Sequence, residues 1–232
     1  MSDDFFRALA HRAAERYRDR YARHFAFGKL TRDPFFRHVL EHGLIPPQAR
    51  VLDLGCGQGL LAALLEAARE RKAAGDWPAG WPAPTAASIH GIDLLPQDIE
   101  RARAAGGPGA TFDCADIRTS EFGAADAVVM LDVIHYVDKT AQDDVVRRVR
   151  AALSGGGVLL LRVADASGSL RFRLTLAADR IAMRLRGARV GRYHCRPSDA
   201  WKRCLGQTGF RVEARPMSAG TPFANVLLVG RC

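Results

Sequence analysis

The chain has 232 residues, 48% of them hydrophobic, which suits one large domain with a full core. Its longest apolar runs, such as residues 158–161, are too short to cross a bilayer, and its start lacks the features of a signal peptide. The five cysteines are scattered and lack zinc-site spacing. We therefore expect reduced thiols, no metal and a cytoplasmic location.

The charge is strongly positive, with 34 basic and 25 acidic residues and a formal net charge of +9. Much of the excess is local, because residues 168–196 contain eight arginines and one acid. A basic segment of this kind can bind RNA, an anionic membrane surface or an acidic protein, and with only 8% aromatic residues nucleic acid is not the expected partner.

The N-terminal region is predicted to be helical. A stripe at spacings of three and four predicts one amphipathic helix over residues 3–25; it consists of Phe6, Leu9, Ala13, Tyr17 and Tyr21. A second helix over residues 34–42 begins at Pro34, and two prolines follow it. We predict an N-terminal helical lid over residues 1–45 and a main domain over residues 46–232.

From residue 50 onward, strands and helices alternate. Strands are predicted over residues 51–54, 88–93, 110–114, 127–131 and 158–163, and helices over residues 60–71, 97–105 and 138–153. The chain ends in a helix over residues 198–208 and strands over residues 210–215 and 225–230. This order predicts an α/β fold with a Rossmann-like, doubly wound sheet of seven strands, mostly parallel with an antiparallel C-terminal hairpin.

Two segments stand outside this alternation. Residues 75–86 are rich in Pro, Gly and Trp and are predicted to form an irregular surface loop. Residues 167–195 form an insert with a helical apolar stripe opposite arginines, made of Leu170, Leu174, Ala177, Ile181 and Leu185. Three roles stay open for this helix: a lid with its stripe over the substrate, a plain packed helix, or an interfacial helix on anionic lipid or an acidic partner.

The clearest motif lies after the first predicted strand, where Asp53 begins the pattern D-x-G-x-G-x-G. Glycine at positions 55, 57 and 59 lets the backbone bend sharply and lets a ligand approach closely. The dinucleotide-binding pattern needs a third glycine at position 60, which is Leu60, so a pyrophosphate ligand is disfavoured. Cys56 is expected to be a small buried filler rather than a nucleophile.

This segment resembles motif I of class I S-adenosylmethionine-dependent methyltransferases, and the other markers follow in order over residues 50–165. The resemblance implies S-adenosylmethionine as cofactor, S-adenosylhomocysteine as product, and Asp93 as the acid that accepts hydrogen bonds from both ribose hydroxyls. It implies that Asp116 binds the adenine amine and Ile117 packs beside the ring. The cofactor-binding set implied by the resemblance is Asp53, Gly55, Cys56, Gly57, Gly59, Asp93, Leu94, Asp116, Ile117, Leu131 and Asp132.

Further roles are expected around this set. Lys29 is a candidate to bind the carboxylate of the cofactor. Asp132 is a candidate to bind the ammonium group of the cofactor or the substrate. An acceptor hydroxyl needs a base, for which His135 and Tyr136, just past the fourth strand, and His194, in the insert, are the catalytic candidates. The alternatives for the histidines are packing, capping or a solvated loop position.

The sequence argues against several acceptor classes. The loop after the fourth strand lacks the Asn/Asp-Pro-Pro-Tyr/Phe motif of base amino-methylation and the paired glutamates of arginine methylation, and no Pro-Cys nucleophile is present. A small hydrophobic or aromatic acceptor remains, with O-methylation favoured over C- or N-methylation. The apolar and basic sides of the insert suit a hydrophobic acyl or aromatic acceptor delivered by an acidic acyl carrier protein. Around residues 28–34, 44–46 and 223–226, the chain also resembles methyltransferases of bacterial aryl polyene pigment synthesis. An RNA methyltransferase that uses residues 168–196 and a non-catalytic cofactor-binding protein are the alternatives.

Overall fold

The structure is a computed structural model that describes residues 2–84, 86, 88–185 and 191–232. Within these residues, no helix has the length and hydropathy needed to cross a membrane. Residue 85 of the predicted loop, residues 186–190 of the predicted insert and the side chain of Leu185 lie outside the description.

The described elements follow the predicted order closely. The helices are α1 (Ser2–Glu15), α2 (Arg20–Arg32), α3 (Pro34–Glu41), α4 (Leu60–Ala73), α5 (Pro96–Ala105), α6 (Lys139–Ala152), α7 (Leu170–Leu185) and α8 (Ser198–Gln207). The strands are β1 (Arg50–Leu54), β2 (Ser88–Asp93), β3 (Ala110–Cys114), β4 (Ala125–Leu131), β5 (Leu153–Ala164), β6 (Arg211–Pro216) and β7 (Asn225–Arg231).

The strands form one sheet in the order β3-β2-β1-β4-β5-β7-β6. The pairs β1–β2, β2–β3 and β4–β5 are parallel, whereas β7 is antiparallel to both β5 and β6. The buried apolar strands β4 and β5 suit a sheet covered on both faces. The predicted fold class, including its antiparallel C-terminal hairpin, is confirmed.

The chain folds as two compact units, Met1–Asp116 and Ile117–Cys232. In the first unit, α1 packs against α2 and α4, and the side chains of Leu9, Ala13 and Tyr17 are almost fully buried. The N-terminal helices therefore belong to the same compact unit as β1, β2 and β3. The role of residues 1–45 as a lid stays a prediction.

The prediction of one helix over residues 3–25 was wrong, because α1 ends at Glu15 and α2 begins at Arg20. Asp19 is the N-cap of α2, and its carboxylate accepts a hydrogen bond of 2.7 Å from the backbone N–H of Ala22. The break turns the chain, so Tyr21 is 51% exposed although it was expected on the buried stripe.

The transition from α6 to β5 also differs from the prediction. Strand β5 begins at Leu153, before the three glycines, because Leu153 already pairs with Ala125 of β4. A register shift between Ala125 and Ala127 accommodates the glycines as an irregularity in the strand pair.

Candidate functional site

The glycine turn after β1 depends on left-handed backbone. Gly55, Gly57 and Gly59 have φ angles of +77°, +54° and +74°, which cost another residue roughly 1–2 kcal/mol each. The backbone N–H groups of Gly55 and Cys56 donate to the carbonyl of Ile92 at 2.8 and 3.1 Å. The turn is therefore fixed against the end of β2.

The first two helices also hold this turn. The hydroxyl of Tyr17, just past α1, donates to the carbonyl of Gln58 at 2.9 Å. The side-chain amide of Gln58 donates to the carbonyl of Ala22 on α2 at 3.2 Å. The sequence analysis missed this role of Tyr17 and Gln58, since it assigned Tyr17 only to the apolar stripe.

Asp93 ends β2 with its carboxylate fixed by backbone donors. Oδ2 accepts from the N–H of Gly57, and Oδ1 from the N–H of Leu95, both at 2.9 Å. A carboxylate has about four acceptor positions, so these bonds are compatible with binding two ribose hydroxyls. The next residue, Leu94, is 60% exposed and offers an apolar surface beside this carboxylate.

Asp53 supplies a second carboxylate at the end of β1. Its side chain is almost fully buried, and burial, together with the charge of Asp93, raises its pKa to about 7. Two nearby carboxylates favour a ligand that carries positive charge, because such a ligand relieves their mutual repulsion.

The Cys56 side chain fills space behind the turn. It is buried, and a Cβ on Gly91 would lie 2.8 Å from its Sγ. Burial raises the pKa of this thiol far above its ordinary value, so it stays a neutral thiol. This agrees with the expected filler role, while a contact with the cofactor stays a prediction.

Three other residues predicted to contact the cofactor are Lys29, Ile117 and Asp116, and the first two already contact other residues of the chain. Lys29 forms an ion pair of 2.8 Å with Asp33, the N-cap of α3. Ile117 is buried, and its carbonyl accepts a hydrogen bond from Arg148 at 2.8 Å. Asp116 is partly exposed. Their contacts with the cofactor stay predictions.

The end of β4 is held by a buried arginine. Leu131 ends the strand, and Asp132 follows it with a φ of +55°. Arg162 of β5 is 1% exposed and donates through Nε to the Asp132 carboxylate at 2.9 Å and also through Nη2. The sequence analysis missed Arg162, although an arginine in an otherwise apolar strand signals a buried pair.

His135 lies directly after β4, in a short 3₁₀ turn that runs from Ile134 to Tyr136. Its side chain is 8% exposed, and neither ring nitrogen forms a hydrogen bond with any described residue. The Asp179 carboxylate lies beside the ring, with its Oδ2 3.5 Å from Nε2. A buried imidazole without well-formed hydrogen bonds costs roughly 1–3 kcal/mol of stability, and its role as a base stays a prediction.

Asp179 of α7 joins His135 to two tyrosines. The Tyr136 hydroxyl donates to its carboxylate at 2.7 Å, and the Tyr193 ring centroid lies 5.4 Å from that of His135. Burial raises the pKa of Asp179, but contacts with His135 and Tyr136 outweigh burial and keep that pKa below its ordinary value. Burial and the Asp179 carboxylate raise the pKa of Tyr136, so its hydroxyl stays protonated.

The sequence analysis missed Asp179 and gave Tyr193 no role, although Asp179 is the one acid among the eight arginines of residues 168–196. His194 reaches the same place through its backbone: its N–H donates to the carbonyl of His135 at 2.8 Å. Gln142 donates to the carbonyl of His194 at 2.6 Å. The structure thus brings His135, Tyr136 and His194 together, and their catalytic roles stay predictions.

The comparison with known families decides the identity of this site. A protein-family model described as a methyltransferase domain matches residues 9–215. The chain belongs to this methyltransferase family. Together with the glycine turn and Asp93, the match makes it an S-adenosylmethionine-dependent methyltransferase with S-adenosylmethionine as cofactor. No curated protein matches the chain.

Solved methyltransferase structures share its fold. One is an S-adenosylmethionine-dependent methyltransferase from Mesorhizobium loti, with 21% identity, a TM-score of 0.58, and coverage of 83% of this chain and 95% of the other. An O-methyltransferase family protein from Burkholderia thailandensis has 23% identity, a TM-score of 0.61, and coverage of 96% and 63%. Human N-acetylserotonin methyltransferase in complex with the cofactor has 17% identity, a TM-score of 0.53, and coverage of 78% and 47%.

The described residues fit this cofactor. Its sulfonium and ammonium groups are cationic, which suits the paired carboxylates of Asp53 and Asp93. The glycine turn leaves the backbone without side chains at Gly55 and Gly57, and Leu94 offers exposed apolar surface beside Asp93.

Proposed function

We propose that this methyltransferase O-methylates a small phenolic acceptor and that His135 is its general base. The observation that carries the proposal is the buried imidazole of His135, whose nitrogens form no hydrogen bond with the described residues, beside a carboxylate and two tyrosine rings. A phenol hydroxyl donates to a ring nitrogen and satisfies it, and that nitrogen then takes the proton.

Asp179 and Tyr136 act as positioning residues. The Asp179 carboxylate, 3.5 Å from Nε2, stabilises the imidazolium that forms when His135 accepts a proton. The Tyr136 hydroxyl donates to that carboxylate and fixes its direction. Because burial and Asp179 raise the pKa of Tyr136, its hydroxyl serves as a donor and not as a base.

An aromatic acceptor fits the surroundings of the base. The ring centroids of Tyr136 and Tyr193 lie 4.3 and 5.4 Å from that of His135, and aromatic rings add roughly 0.5–1.5 kcal/mol per favourable pair. A phenol ring packs against such side chains while its hydroxyl meets the imidazole.

Helix α7 and residues 191–195 act as a lid in this proposal. Asp179 of α7 and the backbone of His194 both contact His135, whose ring nitrogens are buried. An acceptor therefore reaches the imidazole after this segment moves away, and its return excludes water from the site.

The cofactor is held, in this proposal, by the residues that the resemblance implies. The Asp93 carboxylate binds the ribose hydroxyls, Asp53 faces the cationic groups, and the turn over residues 55–59 supports the aminoacyl part. When bound, S-adenosylmethionine supplies an electrophilic methyl group and leaves as S-adenosylhomocysteine. The carrier-protein link and the aryl polyene subfamily stay predictions from the sequence, so free phenols are the first acceptors to test.

The test compares His135→Asn with wild type in S-adenosylhomocysteine release on a panel of phenols, carboxylic acids and amines. We expect turnover on phenols and a loss of roughly 10²–10⁴-fold in kcat for the variant, with unchanged cofactor affinity. His11→Asn is the matched control, because His11 is 65% exposed on α1.

The positioning roles have a separate readout. Asp179→Asn removes the carboxylate charge beside Nε2, so kcat on phenols should fall while the KM for the phenol and the cofactor affinity stay unchanged. Full phenol turnover by His135→Asn, or turnover on amines alone, would contradict the proposal.

A further inference from the structure

Helix α7 has two faces with different chemistry. Its inward face carries Asp179, which contacts Tyr136 and His135, and Thr175, whose Oγ1 accepts from the N–H of Ala224 at 3.0 Å. Leu170, Leu174 and Ile181 lie within about 40° of one another around the helix axis and on the side away from Asp179.

This outward stripe is exposed. Leu170, Leu174 and Ile181 are 71%, 45% and 58% exposed, and they are three of the five large hydrophobic side chains exposed in the described part of the chain. Of the three roles open for this helix, the one that laid the stripe over the substrate does not fit this exposure, and the opposite face of α7 meets the candidate base.

Arginines flank the stripe on both sides. The side chains of Arg171, Arg173 and Arg184 are exposed on α7, and Arg180 is also exposed, with its guanidinium over the Tyr193 ring. The one acid of residues 168–196 is Asp179, and it is turned inward onto Tyr136. The outward half of α7 therefore presents leucine and isoleucine between positive charges, and the one acid of the helix, Asp179, lies on its opposite face.

We propose that the outward face of α7 docks on an anionic phospholipid bilayer. The apolar stripe enters the interface between headgroups and acyl chains, and the arginines on either side reach the phosphates through their long stems. This is the charge and shape complementarity of a helix that lies in the membrane plane. Docking on this face leaves the inward face, with Asp179, directed at His135.

The experiment measures sedimentation of the full chain with vesicles of phosphatidylcholine alone or of equimolar phosphatidylcholine and phosphatidylglycerol. One variant removes apolar contacts (Leu174→Ser with Ile181→Ser), and a second removes charge (Arg171→Gln, Arg173→Gln and Arg184→Gln). The matched controls change exposed residues elsewhere (Arg18→Gln, Arg20→Gln and Arg203→Gln together, and Tyr21→Ser).

We expect binding to the anionic vesicles only, a drop of roughly tenfold or more for each α7 variant, and no change for the controls. Thermal unfolding and cofactor titration verify that each variant is folded. The readout is independent of turnover, so it stands or falls separately from the proposed acceptor. The proposal would be overturned if the variant with Leu174→Ser and Ile181→Ser bound anionic vesicles as tightly as wild type. Binding of wild type to polyglutamate, without binding to vesicles, would also overturn it.

Discussion

Gly59 is restricted in two ways. Its φ of +74° lies in the left-handed region, and a Cβ built on it would lie 2.9 Å from the Cβ of Ala102 and 3.2 Å from the ring of Phe112. Gly75 has nearly the same φ, +76°, but nothing lies within 4 Å of the position of its Cβ. The two glycines therefore separate the cost of backbone conformation from the cost of close packing.

Replacing each glycine by alanine tests this separation. Gly75→Ala should lose roughly 1–2 kcal/mol of the free energy of unfolding, from the left-handed backbone alone. Gly59→Ala should lose roughly 1–3 kcal/mol more, because α5 and β3 must yield to the new methyl group. Urea denaturation without cofactor measures both. Equal losses would show that packing of α5 and β3 against Gly59 does not restrict it.

At the scale of elements, the break between α1 and α2 positions the glycine turn. The chain leaves α1 at Glu15, and Tyr17 then lies where its buried hydroxyl reaches the carbonyl of Gln58. A single helix through residues 3–25 would have placed Tyr17 and Tyr21 on one stripe, whereas Tyr17 is 1% and Tyr21 51% exposed. The N-terminal helices are thus part of the support of the cofactor turn.

Tyr17→Phe isolates that support, because it removes only the hydroxyl. We expect a loss of about 1–2 kcal/mol in the free energy of unfolding, since the buried carbonyl of Gln58 loses a donor, and weaker cofactor binding as the turn loosens. Tyr21→Phe is the control and should change stability by less than about 0.5 kcal/mol. Calorimetric titration and thermal unfolding give both values; identical behaviour of the two variants would refute the role of Tyr17.

Local patterns predicted the elements well and their contacts less well. The glycine turn and the acid that ends β2 were readable because both depend on neighbours in sequence. Asp179 was not, since a helical stripe gives the apolar side of α7 but not which side packs inward. Arg162 and Asp132 are 30 residues apart, and nothing local connects them. Asp19, by contrast, is a helix-capping residue type and was a readable sign of the break before α2.

At the scale of the whole molecule, charge is separated between two places. Acidic groups meet at the ends of β1 and β2, where burial and mutual repulsion raise the pKa of Asp53. Exposed arginines collect on α7, whose single acid points inward. The net charge of +9 for the whole chain therefore gives the local charge of neither region. A cationic cofactor suits the acidic one, and an anionic surface suits the basic one.

The acidic end makes stability depend on pH in a definite direction. The pKa of Asp53 is about 7 in the folded chain and about 3.9 in an unfolded one. The folded state thus holds this proton more tightly, so the stabilisation is complete below about pH 4 and is lost as the pH rises through about 7. Relative to Asp53→Asn, wild type should lose stability between pH 5 and pH 8, at up to about 1.4 kcal/mol for each unit of the pKa difference.

Cofactor binding should act on the same proton. A cationic ligand beside Asp53 favours its ionised form, so binding near pH 6 should release a proton from wild type and fewer protons from Asp53→Asn. Titration calorimetry in two buffers of different ionisation enthalpy counts the protons, and urea denaturation at pH 5 and pH 8 measures the stability difference. If the stability of the two proteins changed with pH in parallel, Asp53 would be ionised in the folded chain without a ligand. If wild type and Asp53→Asn released equal numbers of protons on binding but differed in the pH dependence of their stability, the cationic part of the cofactor would not bind beside Asp53.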